Sequence, residues 1–154
     1  MATLVSINVS DRKGIKKAPV PRARIGLEGV AGDAHAGPWH RMVSLLAEES
    51  IQKMRDAGLE VGPGDFAENL TTRGLDLLGL PLGARLRVGD TVVLALTQHG
   101  KECHTRCAIY YQAGDCVMPK EGVFAEVLAE GEITVGDTIQ VLPPEEAGAA
   151  GETP

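Results

Sequence analysis

Cysteine is scarce in this chain and confined to one place. Only Cys103, Cys107 and Cys116 occur among 154 residues. An odd number gathered in one short stretch excludes a secreted disulfide framework, which spreads an even number along the chain. In a reducing compartment such a cluster reads as thiol chemistry or metal binding. Long apolar runs are also missing, which excludes a helical membrane span. The stretch Met1 to Ser10 has no basic region followed by an apolar one. No secretory signal is therefore expected, and the expected location is the cytoplasm. Basic charge is in deficit, with a formal net charge of −6, which disfavours nucleic acid as a partner. Aromatic residues are few: one Trp, two Tyr and two Phe. Disorder is excluded too, since hydrophobic residues make up 44% of the chain.

What is present reads as one strand-rich domain, residues 1–143, followed by a Pro-, Gly-, Ala- and Glu-rich tail, residues 144–154, without periodicity. Thr3 to Val9 alternates and predicts a first strand. Gly14 to Pro21 is punctuated by glycine and proline and predicts a loop. Arg22 to Val30 predicts a second strand, and Met42 to Leu46 a short buried one. Ala47, Ile51, Met54 and Ala57 share one helical face, with Glu48 and Glu49 at its start and Gly58 suited to its end. Ala84, Leu86 and Val88 alternate with arginines, and Thr91 to Thr97 is an apolar run. Val88-Gly89-Asp90-Thr91-Val92 is echoed by Val135-Gly136-Asp137-Thr138-Ile139. A Gly-Asp pair between apolar runs predicts a tight hairpin. Two such hairpins and a strand at Val123 to Ala129 predict a mainly β fold, a closed or partly closed barrel with a few short helices.

Chemistry-bearing residues gather in three polar segments. Gly32 to His40 holds Asp33, His35 and His40 among glycines that let a ligand approach the backbone; the plainer alternative is a turn with exposed histidines. Gly64 to Gly74 holds Glu68, Asn69, Thr71, Thr72 and Arg73, which suit a polar heterocycle and a phosphate, or serve as ordinary turn and cap residues. His99 to Cys107 is the densest. Lys101, His104 and Arg106 flank Cys103, and cationic neighbours favour a thiolate. Alternatively, the three cysteines with His99 or His104 form a zinc site, although a gap of three residues between Cys103 and Cys107 departs from the usual zinc-knuckle spacing. Trp39, Phe66, Tyr110 and Tyr111 lie within or beside these segments, so they line one pocket if the segments converge and cap an aliphatic core if not. A basic stretch, Arg12, Lys13, Lys16, Lys17, Arg22 and Arg24, offers charge to a small anion or is simply solvated.

The order of these motifs resembles the MOSC family, named for the C-terminal domain of molybdenum-cofactor sulfurases. The resemblance rests on Gly-Ile-Lys-Lys-x-Pro-Val (Gly14 to Val20), Gly-Leu-Glu-Gly with Gly-Asp-x-His (Gly26 to His35), Gly-x-x-x-Glu-Asn-Leu-Thr-Thr (Gly64 to Thr72), the Val-Gly-Asp turn, and a late cysteine after a glutamine (Gln98 to Cys103). It spans Thr3 to about Leu142. The resemblance implies a barrel-like fold that binds the molybdenum cofactor (molybdopterin) or handles sulfur for it. Cys103 would ligate molybdenum or carry a persulfide, roles that suit a soft thiolate. Lys16, Lys17 and Arg73 would bind phosphate; Asp33, His35, Glu68, Asn69 and Thr71 would contact the pterin or shape its pocket. Cys107 and Cys116 lie outside the family's general pattern. The chain has no desulfurase-like domain, so pyridoxal phosphate would belong to a partner cysteine desulfurase. Two rivals follow: a molybdenum-dependent reductase of N-hydroxylated compounds served by an electron-donating partner, and a zinc-stabilised binding module without catalysis.

Overall fold

The first strand shows how this chain departs from simple alternation. Strand β1 (Ala2–Val9) carries a register shift between Leu4 and Ser6 where it pairs with a later strand, β6 (Leu70–Arg73). A bulge of this kind inserts one residue and exchanges the two faces. Leu4 and Ile7 therefore both join the apolar core, while Ser6 and Asn8 turn to the other side of the sheet. Alternation alone would have placed Leu4, Ser6 and Asn8 together. The computed structural model describes residues 2–10, 17–33, 37, 43–58, 60–66, 68–99 and 122–143. The expectations for Lys16, His35, Cys103 and the tail 144–154 lie outside the described residues, as do those for Cys107 and Cys116.

The expected loop Gly14 to Pro21 ends in a short strand, β2 (Ala18–Val20), paired antiparallel with β1. Pro19 is tolerated there because β2 is an edge strand and needs no second set of bonds. The single strand expected over Arg22 to Val30 is instead a hairpin of β3 (Arg22–Gly26) and β4 (Gly29–Val30), turned at Leu27-Glu28 with Gly29 at φ 115°. Strand β5 (Val43–Ala47) leads into helix α1 (Glu48–Asp56). The helix buries Ser50 and Ile51 but leaves Ala57 exposed, so its apolar face is shallower than the spacing predicts. Gly58, at φ 100°, ends it as expected.

The second half supplies β7 (Arg85–Val88), β8 (Val92–His99), β9 (Val123–Ala129), β10 (Gly131–Thr134) and β11 (Thr138–Val141). Strands β11, β7, β8, β9, β5, β6 and β1 follow one another in hydrogen-bonded order, and β11 pairs with β1 to close a seven-stranded barrel. Strand β2 adds to its edge, and β10, β3 and β4 form a separate small sheet. Closure removes the exposed edges that an open sheet would leave. The interior is aliphatic, with Leu4, Ile7, Val43, Leu45, Leu70, Leu86, Leu94 and Val123 in one buried cluster.

Only one of the two Gly-Asp turns is a hairpin. Gly89-Asp90 joins β7 to its partner β8. Gly136-Asp137 joins strands of different sheets, because β10 pairs with β3 while β11 pairs with β7 and β1. Its backbone docks on β1 instead, with the Gly136 N–H donating to the Leu4 carbonyl at 2.8 Å and the Leu4 N–H to the Asp137 carbonyl at 2.8 Å.

Strands β5 and β6 are parallel, and parallel neighbours need a crossover. Helix α1 supplies it. The chain then returns through residues 60–69 to begin β6 beside the start of β5 and the end of β1. The second polar segment therefore lies at the meeting point of three barrel strands.

Candidate functional site

Asn69 fills that meeting point. Its own N–H donates to the Ser44 carbonyl at 3.0 Å, and its carbonyl accepts from the Asn8 N–H at 2.7 Å. The side chain repeats the pattern: Oδ1 accepts from the Ser44 N–H at 3.0 Å, and Nδ2 donates to the Asn8 carbonyl at 3.2 Å. Ser44 Oγ also donates to Oδ1 at 3.2 Å. One residue thus serves the backbones of β5 and β1 at once, a task that needs a donor and an acceptor on one side chain. Aspartate lacks the donor, and leucine lacks both.

Around Asn69 lies a buried polar network on the outer face of the barrel wall. Ser6 Oγ donates to Asn8 Oδ1 at 2.7 Å. Asn8 Nδ2 donates to the Glu68 carbonyl at 3.2 Å and to Thr71 Oγ1 at 3.1 Å. Thr71 Oγ1 in turn donates to Glu68 Oε2 at 2.6 Å, and the Gly64 N–H donates to the same oxygen at 3.0 Å. Among the described residues, Glu68 Oε1 is buried and has no hydrogen-bond partner. Burial pushes the Glu68 carboxyl up from 4.5 to about 7, against the lowering effect of the bonds from Gly64 and Thr71 and of the Glu68 and Phe66 backbone N–H groups.

Gly64 carries the network onward. It lies at φ 86°, and a Cβ there would collide with the Lys17 carbonyl oxygen, so glycine is required on two counts. The Lys17 N–H donates to the Gly64 carbonyl at 2.8 Å. The Lys17 ammonium is buried and pairs with Asp33 Oδ1 at 2.7 Å, neither side chain being exposed. It also donates to Ser10 Oγ at 3.3 Å, and the Ser10 N–H donates to Asp33 Oδ1 at 3.1 Å.

The structure therefore brings Lys17, Asp33, Glu68, Asn69 and Thr71 into one connected network, although they come from two of the three polar segments and the basic stretch. Arg73 follows Thr71 on the same strand but reaches away to α1. Its Nε and Nη2 donate to Glu48 Oε1 at 2.9 and 2.7 Å, with the guanidinium side chain 60% exposed. Phe66 is buried next to the network in sequence. Sequence reasoning missed Asn8 and Ser44. The available signals were an asparagine at the end of an apolar strand and a serine inside the apolar run Val43 to Leu46.

A cavity of about 470 Å³ opens elsewhere, beside α1, between Glu49, Lys53, Asp76 and Leu78. It includes none of the candidate cofactor-binding residues, so the network and the cavity are separate features. Among the described residues, no three His, Cys, Asp or Glu side chains are placed to hold a metal ion. No helix among them is long and apolar enough to cross a membrane.

Comparison with known proteins agrees with this architecture. The family description "MOSC domain" matches residues 32–140. The fold is similar to that of the YuaD protein from Bacillus subtilis (TM-score 0.78, 18% identity, 91% of this chain and 94% of that one). It is also similar to YiiM from Geobacillus stearothermophilus (0.72, 22%, 93% and 76%) and to YiiM from Escherichia coli (0.69, 20%, 96% and 72%). No curated protein matches the chain.

Proposed function

The chain belongs to the MOSC domain family, and from that premise we propose that it binds the molybdenum cofactor or a pterin precursor, or carries sulfur for it, with Cys103 as metal ligand or persulfide carrier. What carries the reading is the convergence of Lys17, Asp33, Glu68, Asn69 and Thr71 on one buried network with a single open acceptor, Glu68 Oε1. An ordinary structural network would leave no carboxylate oxygen bare, because each unpaired buried group costs about 1–3 kcal/mol. A pterin is rich in N–H donors, and an acceptor of this kind suits one of them.

The same geometry divides the labour among the candidate residues. Asn69 shapes the pocket by joining β5 to β1. Lys17, committed to Asp33, orders the chain next to Lys16 and leaves Lys16 as the phosphate cation of that pair. Arg73 can serve a phosphate because its present bond to Glu48 is a surface ion pair, worth about 0–1 kcal/mol, and is readily exchanged. When bound, the cofactor would supply the metal and its redox or sulfur chemistry; the chain's residues hold it and control solvent. Any pyridoxal-phosphate desulfurase or electron donor would be a partner.

The test is elemental analysis of the chain purified from a host that makes the cofactor. Molybdenum should accompany the wild type and be lost from Cys103→Ser with the fold intact, since a hydroxyl is a poor soft-metal ligand. Wild-type protein that carries no molybdenum and takes up no sulfane sulfur would remove the proposal. Zinc held by wild type and lost on any single cysteine change would favour the zinc-stabilised module.

A further inference from the structure

Among the described residues, Asp33 and Glu68 are the two buried carboxylates, and the fold treats them in opposite ways. Asp33 has a cation, Lys17, at 2.7 Å. Glu68 has none. Its neighbours Gly64, Thr71 and Asn8 are neutral, and the charges that the network does contain, Lys17 and Asp33, are bound to each other. Gly64 and Thr71 both donate to Oε2, the backbone N–H groups of Glu68 and Phe66 also lie against the carboxyl, and among the described residues Oε1 has no hydrogen-bond partner. Neutral donors alone do not offset the burial of an ionised carboxylate, and a group in that position takes up a proton instead. Thr71 has no freedom to help further: its oxygen accepts from Asn8 Nδ2, and its hydroxyl proton already goes to Glu68.

The geometry also says what such a proton would control. Glu68 holds the Gly64 N–H, and Gly64 is pressed against Lys17, whose N–H it accepts at 2.8 Å. Ionisation turns the Gly64 bond into a charge-assisted one, which is shorter and roughly twice as strong. That pull acts on a residue with no slack, because the Lys17 backbone fills the space where a side chain would be.

We propose that Glu68 is a proton-operated positioning residue, holding its proton at Oε1 in the closed network and, on releasing it to solvent base, tightening its hold on Gly64 and so shifting the Gly64–Lys17 contact. Only the O–H bond breaks, and no other reactant is needed. A ligand N–H at Oε1 would be accepted by the ionised form, so ligand binding would favour release of the proton; the titration is read on the chain alone and so stands or falls separately from the cofactor reading. It means that the wall formed by Gly64, Lys17 and Asp33 has two states exchanging near neutral pH.

Carbon-13 NMR of glutamate-labelled protein, together with amide spectra across a pH series, tests this on the intact chain. One glutamate carboxyl should titrate near neutrality, with a midpoint at about 7, and its signal should vanish in Glu68→Gln. The Gly64 and Lys17 amide signals should move with the same midpoint. Thr71→Val removes a donor that favours the ionised form, so it should raise that midpoint, and this identifies the carboxyl even if Glu68→Gln does not fold. Titration of every glutamate in the ordinary acidic range overturns the proposal. So does a near-neutral Glu68 titration that leaves the Gly64 and Lys17 amides unmoved.

Discussion

The two sides of the barrel wall are built on different rules. Inside, Leu4, Ile7, Leu45, Leu70 and Leu94 fill space, and what matters there is volume. Outside, over β1, β5 and β6, Asn8, Ser44, Glu68, Asn69 and Thr71 are just as buried, and what matters there is who bonds to whom. The same strands present both sides: Leu45 lies inside and Ser44 outside, Leu70 inside and Thr71 outside. A volume-filling interior tolerates exchange among aliphatic residues, whereas a network of fixed partners can hold one polar atom, Glu68 Oε1, in a state that water would otherwise satisfy.

The contrast can be broken most forcefully at Lys17. Lys17→Met takes the ammonium at 2.7 Å away from buried Asp33, and breaking a buried pair in this way costs about 3–5 kcal/mol. Adding Asp33→Leu should recover much of that, as read by urea unfolding of the single and double variants. Full additivity of the two changes would show that the pair is not a unit. Inside, Leu45→Ala should cost about 2–5 kcal/mol through lost burial and the cavity left behind. Leu45→Met should cost less than about 1.5 kcal/mol, because volume is kept. No such cheap exchange should exist for Asn69.

Much of this plan is legible from the residues alone, and the exceptions have physical causes. Strand β9 falls on Val123–Ala129, as its run of apolar and β-branched residues predicts. The barrel follows from the turn signals, although Gly136-Asp137 is not a hairpin, since pairing partners far away in sequence decide which sheet a strand joins. The bulge in β1 is invisible in its own sequence because it exists only relative to β6. Lys17 reads as a solvated or anion-binding lysine within a basic stretch; its burial depends on Asp33, sixteen residues later. The residues of the Glu-Asn-Leu-Thr motif are identifiable as a group, but the division between Asn69 as a joint and Glu68 as an open acceptor needs the three-dimensional register.

Smaller effects sharpen the contrast further. The Glu68 carboxyl sits at about 7 in the fold and 4.5 ordinarily. Its folded value is raised, so its favourable contribution is complete below the unfolded value and is lost as pH rises through 7. The difference in stability across that window should be at most on the order of 3 kcal/mol. Glu68→Gln should flatten it, and the stability of wild type minus variant, measured below 4.5 and above 7, reads the effect directly. Equal pH slopes for the two proteins would show that Glu68 does not titrate there. At the small end stands Thr72, which lies opposite Leu4 and Ala47 on the interior side and whose buried hydroxyl has no partner. Thr72→Val should be neutral or stabilising by up to about 1 kcal/mol in thermal unfolding, since nothing is lost with the hydroxyl. A clear destabilisation would mean that the hydroxyl does have a partner.

The proposed function requires that the outer polar face, and not the interior or the cavity beside α1, hold the ligand. Pterin released from purified protein, oxidised and read by its fluorescence, tests this when wild type, Glu68→Gln and Leu45→Met are prepared from the same cofactor-producing host. We expect pterin with the wild type and with Leu45→Met, and a marked loss from Glu68→Gln under conditions where its unfolding curve shows it folded. Equal pterin in all three proteins would contradict it.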